Sequence, residues 1–202
     1  MVFFRIKSFK YLFIISTVFV FLLSSCTTSD PVRFDQVVNS IQNEDYNIQI
    51  RIIEAEELKR QSGRTPSPFL MVPGVFDPRE YVVCEVIINN KTDKGASFKL
   101  KDLELRMGAA NYYTKNTFQI KQYWEKQDDV KSADRNRMNQ IIDRYVLPRK
   151  VEIPSGGLKR GYVVFLANIP KYGEMTIMLP LMSEGFRPDI YEFTFPFTKI
   201  SK

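Results

Sequence analysis

The sequence predicts a mainly β fold: an antiparallel sandwich with one inserted helix and a short N-terminal helix, all behind a removable leader. Three observations carry that expectation. Seven or eight short runs rich in Val, Ile, Phe and Tyr recur between turn residues, as in an antiparallel sandwich. Within the domain only the stretch 128–146 has a helical period. The first 25 residues have a separate character, basic and then apolar, with no acid.

Arg5, Lys7 and Lys10 open the chain, and Tyr11 to Leu23 follows as 13 residues broken only by Ser16 and Thr17. A membrane-spanning helix needs about 20 apolar residues, whereas this length suits the core of an export signal. The basic end stays in the cytoplasm, so the rest of the chain is expected to be exported. Removing residues 1–25 leaves 177 residues, enough for one core without disulfide staples. It also leaves 26 basic against 23 acidic side chains, a net +3. That balance is too mild to point to nucleic acid.

Residues 26–46 form the second segment. Thr27 to Asp30 is a short tether, and Asp30-Pro31 reads as an N-cap followed by proline at the first helical position. Phe34, Val37, Val38 and Ile41 then share a helical face, predicting a helix over 31–42. That helix packs on the domain or lies on a membrane surface.

The domain proper spans 47–202. Asn47 to Ile52 alternates and predicts a strand with one buried face. Glu56-Glu57 reads as a surface turn, since adjacent carboxylates in a strand point apart. Ser62 to Pro78 holds four prolines and predicts a loop. Tyr81 to Ile88 is apolar on both faces except at Glu85, which predicts a central strand. A turn over 89–95 follows. Phe98 and Leu100 are out of phase with Leu103 and Leu105, suggesting a β-bulge near Lys101-Asp102. Tyr112-Tyr113 and Thr117 to Ile120 suggest another short strand.

Met138, Ile141, Ile142 and Tyr145 mark the inserted helix, which Pro148 ends. Strands are predicted at Lys150–Ile153, Tyr162–Ala167 and Thr176–Leu179, the last stopped by Pro180. Tyr191, Phe193, Phe195 and Phe197 alternate with Glu192, Thr194, Pro196 and Thr198, and Pro196, which cannot donate to a ladder, implies an edge strand or an NH side that faces water.

Chemistry is sparse. The sequence has no histidine, which removes Ser-His and Cys-His triads and the commonest metal ligand. It has no CxxC, GxSxG, glycine-rich phosphate loop or EF-hand spacing, so no catalytic residue, cofactor or metal is assigned. Glu125, Asp128, Asp129 and Asp134 form a loose acidic group that suits a helix start. Cys84, inside a strand-like run, reads as a buried thiol that packs as a small hydrophobe. The candidate partner-binding residues are Tyr112, Tyr113, Tyr123 and Trp124, interleaved with Phe118, Lys115, Lys121 and Lys126. Such rings anchor a protein or sugar, or else belong to core and rim.

Leu23-Ser24-Ser25-Cys26 resembles the lipobox of bacterial lipoproteins. The resemblance implies cleavage before Cys26, with lipid on its thiol and its new amino group. Thr27, where some members have Asp, resembles lipoproteins sent to the outer membrane. Val82 to Asn90 and Ile153 to Phe165 resemble two stretches of immunoglobulin-like domains in exported lipoproteins: an apolar strand closed by Asn, and Pro-x-Gly leading to Gly-Tyr-x-x-Phe. That kinship implies an immunoglobulin-like sandwich and no reaction.

The expectation is therefore a non-enzymatic envelope lipoprotein. Its partners would be membrane lipid, through acylated Cys26, and another envelope protein or surface component. The alternatives are an assembly subunit of an envelope complex, or a cell-wall hydrolase whose two carboxylates would converge about 5–10 Å apart.

Overall fold

The computed structural model describes residues 32–71, 78–183 and 187–200. The leader, Cys26, the tether and the Asp30-Pro31 cap lie outside them. Among the described residues no helix is long and apolar enough to cross a membrane.

The fold is mainly β, as expected. Eleven antiparallel strands join into one sheet that curls into a half-barrel. In chain order they are β1 (Val32–Phe34), β2 (Val38–Gln42), β3 (Tyr46–Ile52), β4 (Glu80–Asn90), β5 (Ala96–Lys99), β6 (Glu104–Met107), β7 (Ala110–Lys115), β8 (Lys150–Ile153), β9 (Leu158–Ala167), β10 (Tyr172–Ser183) and β11 (Asp189–Lys199). The path across the sheet is β1-β11-β10-β6-β7-β9-β4-β3-β2, with β5 bridging β10 and β8. β7 meets β9 through just two residue pairs, Thr114 with Phe165 and Lys115 with Val164, and the sheet turns its corner there. Across the open seam the Asn39 amide donates to the Thr194 carbonyl at 3.2 Å, joining β2 to β11.

Alternation sets what each face buries. Val82, Cys84, Val86 and Ile88 of β4 point inward with Ile48, Ile50, Ile52, Val163 and Phe165. They meet Leu105, Ile177, Leu179, Phe193, Phe195 and Phe197 from the opposite wall. The outer faces of β4 and β9 carry a second core. Val83, Tyr162 and Val164 there lie under Leu58, Phe69, Ile120, Trp124, Met138 and Ile142. Those residues come mainly from three helices, α1 (Ala55–Ser62), α2 (Thr117–Glu125) and α3 (Ser132–Tyr145). β4 is covered on both faces, which is why its sequence is apolar in both phases.

Several expectations are corrected. The segment 31–42 holds β1 and β2, not a helix. Its apolar residues pair across strands instead: Ile41 opposes Ile48 in a hairpin, and Phe34 opposes Phe197 from the far end of the chain. Pairing along a sheet overrides a four-residue helical coincidence. Glu56-Glu57 lies in the first turn of α1, not in a surface turn. The phase slip between Phe98 and Leu105 is a 3-10 turn at Leu100–Asp102 that passes the chain from β5 to β6, not a bulge within one strand. Thr117 to Ile120 begins α2. Pro180 does not stop its strand, because β10 runs twelve residues through it. Pro180 falls between the β6 pairing, which ends at Met178, and the β5 pairing, which starts at Met182, so it interrupts no ladder on that side.

Other expectations stand. β3, the central β4, β8, β9 and the aromatic β11 occur where expected, and α3 occupies most of 128–146. β11 has β10 along its length on one side and three residues of β1 on the other. β11 is therefore not the edge of the sheet, a place that β1 takes; Pro196 lies just past the β1 pairing, where its carbonyl accepts from Asp35 N–H at 3.1 Å.

Candidate functional site

The four aromatic candidates separate onto different surfaces. Tyr112 turns inward on β7, packs against the inner core and donates its hydroxyl to the Asn168 carbonyl at 3.2 Å. Tyr113, the next residue, faces out and is 54% exposed. Trp124 is buried in the outer core, where its indole N–H donates to the Pro68 carbonyl at 2.9 Å. Tyr123 stands edge-on to both Trp124 and Tyr81, with ring centres 5.0 and 6.0 Å away. Of this stretch, Tyr113 and Phe118, the latter 61% exposed, reach solvent most fully.

Beside them lies an open cleft of about 540 Å³ lined by Lys99, Lys101, Thr114, Asn116, Arg149 and Lys150, among others. No carboxylate lines it. Its walls are held by backbone geometry. Leu100 N–H donates to the Arg149 carbonyl at 2.9 Å, and the Thr114 hydroxyl donates to the Leu100 carbonyl at 2.7 Å. Asn116 caps α2 at the cleft edge through a reciprocal pair. Its side chain accepts from Gln119 N–H, and the Gln119 side chain accepts from Asn116 N–H, each at 3.1 Å. Lys99 and Lys150 are directly opposed across the β5–β8 pair. Like charges in that position destabilise a sheet. Lys150 finds Glu152 at 2.6 Å. The cleft therefore collects positive charge at a strand pair and a helix start, and it suits an anionic group.

The buried carboxylate Glu85 has a different setting. It lies on the outer face of β4 between two guanidiniums, Arg160 at 2.6 Å and Arg51 at 3.0 Å. Arg51 also grips Glu57 of α1 through two hydrogen bonds, at 2.7 and 3.0 Å. Gln61 exchanges hydrogen bonds with the Tyr162 hydroxyl, and Tyr145 stacks on the Tyr162 ring. Both carboxylates are bound up in tying α1 to the sheet. Burial lifts the Tyr162 hydroxyl above its ordinary value, so it stays protonated as a donor.

Two motif residues have clear physical work. Asn90 is fully buried and uses its whole side chain. Its amide donates to the Lys94 and Pro154 carbonyls at 2.7 and 3.1 Å, and its carbonyl accepts from Thr92 N–H and hydroxyl. It thereby fixes two turns at once. Gly161 lies where the chain leaving α3 crosses β9, and a Cβ there would meet the Leu147 side chain at 2.6 Å. Leu147 N–H donates to the Tyr162 carbonyl at that crossing.

No protein-family model matches the sequence, and no curated protein does. Several solved structures are similar at low level, three of which follow. A candidate lipoprotein, ycdA of Bacillus subtilis, shares 12% identity at a TM-score of 0.43; the match covers 77% of this chain and 37% of that one. This chain thus spans about a third of that relative. A DUF4426 family protein of Pseudomonas aeruginosa shares 7% at 0.37, covering 81% and 99%. A functionally unknown protein of Listeria monocytogenes shares 14% at 0.39, covering 84% and 94%.

The remaining sequence candidates are placed as follows. Cys84 is a free, buried thiol facing the inner core, and burial pushes its pKa up. Among the described residues no group of three or more Asp, Glu or Cys is placed to hold a metal. Asp134 lies in the first turn of α3, while Glu125, Asp128 and Asp129 are exposed before it. Lys121 pairs with Asp143 at 2.6 Å, linking α2 to α3. The sequence reading missed Lys99, Lys101, Arg149 and Lys150, which come from two stretches about 50 residues apart. The available signal was the Asn-x-x-Gln spacing of Asn116 and Gln119, a helix-start signature that would have moved Phe118 onto a helix surface.

Proposed function

We propose that the chain is a lipid-anchored, non-enzymatic binding protein of the bacterial envelope, which engages an anionic envelope component at the basic cleft. The observation that carries this is the juxtaposition of four cationic side chains, without a carboxylate, beside exposed Tyr113 and Phe118. The anchor is acylated Cys26, supported by Leu23-Ser24-Ser25-Cys26 directly after a signal-length apolar core. Thr27 after that cysteine favours the outer membrane. In this proposal Tyr113 touches the partner, while Tyr112, Tyr123 and Trp124 hold the surface behind it. An immunoglobulin-like kinship belongs to the same proposal, supported by the roles of Asn90 and of Gly161-Tyr162 in the two stretches that suggested it.

Pull-down of the full-length protein from detergent-solubilised membranes, without crosslinking, tests the cleft. Lys101→Glu with Arg149→Glu is expected to reduce partner recovery about tenfold, and wild-type recovery is expected to fall as salt rises through the range where the Debye length drops from about 10 to 3 Å. Both residues are exposed, so the fold should survive. Equal recovery from the variant, or recovery indifferent to salt, would exclude the cleft as the binding surface.

A further inference from the structure

The place where the chain enters the sheet has consequences for how the domain meets the membrane. Val32, the first residue of β1, is six residues after Cys26, and six extended residues reach at most about 22 Å. The strands are long by comparison, since the twelve residues of β10 extend roughly 40 Å. A tether this short, joined at one end of the strands, holds that end nearest the leaflet.

The composition of that end fits such a position. Val32 pairs with Lys199, and Tyr172 pairs with Thr198. Lys199 N–H donates to the Lys171 carbonyl at 2.6 Å, so the start of β10 and the end of β11 form one small surface. On it Tyr172 is 78% exposed and Ile200 is 48% exposed. A tyrosine ring with a polar tip suits the headgroup boundary, and a lysine stem can lie along apolar surface while its ammonium meets lipid phosphate. Lys171 and Arg33 are exposed there beside exposed Asp35 and Glu174, while Lys199 is 2.9 Å from Glu80. Exposed apolar side chains also occur at the other end, at Met182 and Ile190. Ile190 opposes Pro180, eight residues along β10 from Tyr172, or roughly 27 Å. That end carries exposed Glu44, Asp45, Asp93 and Asp189 interspersed with exposed Lys91, Lys94 and Arg187, so the tether and not the charge chooses between the two ends.

We infer that the end of the half-barrel bearing Val32, Lys171, Tyr172 and Ile200 rests on the leaflet that holds acylated Cys26, with Tyr172 and Ile200 at the headgroup boundary. This rests on the lipid anchor proposed above. It leaves the basic cleft, at the opposite end of β7 from the Gly108 hairpin, turned away from the bilayer and open to a partner.

The test uses full-length acylated protein in vesicles of phosphatidylethanolamine and phosphatidylglycerol. A polarity-sensitive fluorophore is attached at Tyr172→Cys or at Ile190→Cys. Acylation blocks Cys26 and burial protects Cys84, so the label goes to the new thiol. Position 172 is expected to be blue-shifted and roughly threefold less quenched by aqueous iodide than position 190. Equal or reversed quenching in protein that floats with the vesicles and carries acyl mass would overturn the orientation and leave the anchor standing. Protein without acyl mass that fails to float would overturn both.

Discussion

The two faces of β4 and β9 are built on different principles. Inward, β4 contributes Val82, Cys84, Val86 and Ile88, and the core they enter is made almost wholly by strands. Outward, the same strand contributes Val83 and Glu85, and the layer above them comes from helices and a loop held by mixed chemistry. The outer layer relies on Trp124 bonded to the Pro68 carbonyl, on the Arg51–Glu57 and Arg51–Glu85 pairs, and on Gln61 bonded to Tyr162. One face is a close-packed apolar interior, and the other is a set of individually replaceable clasps. The inner core should therefore set whether the domain folds, and the outer layer whether its helices, including the start of α2 beside the cleft, stay in place.

The largest expected effect breaks the inner side. Phe165→Ala removes a fully buried ring and should destabilise the domain by about 3–5 kcal/mol in urea titration. Trp124→Ala removes an outer ring of larger size and should lose less, about 2–3 kcal/mol, since Trp124 keeps some solvent contact and the loop above it can settle. It should also raise protease sensitivity in the Thr65–Leu70 stretch while the strands stay protected. An equal loss of global stability from both, with no local cleavage, would mean that the two cores unfold as one.

A sharper test of the clasps is Arg51→Ala. It leaves buried Glu85 with Arg160 alone and Glu57 with only the Gln61 amide, 3.1 Å away. Breaking one partner of a fully buried pair costs about 3–5 kcal/mol, and partial exposure of Arg51 and Glu57 should bring this to about 2 kcal/mol. Amide exchange should accelerate in α1 before it does in β4. Unchanged exchange in α1 would show that Leu58 alone holds that helix.

The two faces were also unequally legible. The inner face could be read because alternation is a direct record of a half-buried strand, as in Asn47 to Ile52 and Tyr191 to Phe197. α1 could not be read from periodicity, because Leu58 is its only buried residue. Its Ala, Glu, Leu, Lys, Arg and Gln are good helix formers, so propensity was the signal to follow. Val38 and Ile41 misled because their partners, Arg51 and Ile48, are fixed by sheet register. The cleft was illegible for a related reason. Lys99 and Lys150 are 51 positions apart and meet only once β5 has paired with β8. Tyr112, Tyr113, Tyr123 and Trp124 are close in sequence but divide between inner core, outer core and solvent, because one residue of strand or helix separates inside from outside and composition does not record that phase.

The smallest effect concerns the inward thiol. Cys84→Ala should cost on the order of 1 kcal/mol. In the native protein Cys84 should resist alkylation even near pH 9, where an ordinary thiol with a pKa of about 8.5 is mostly ionised, because burial raises its pKa. It should react once the domain is unfolded. Rapid native labelling would contradict the burial of β4.

The proposed lipid tether at Cys26 is the central claim about this two-faced domain. Intact-mass measurement of the protein extracted from membranes tests it most directly. The expected species begins at Cys26 and carries acyl mass, and Cys26→Ala should accumulate as unprocessed precursor. Mature protein that retains residues 1–25, with no acyl mass, would contradict it.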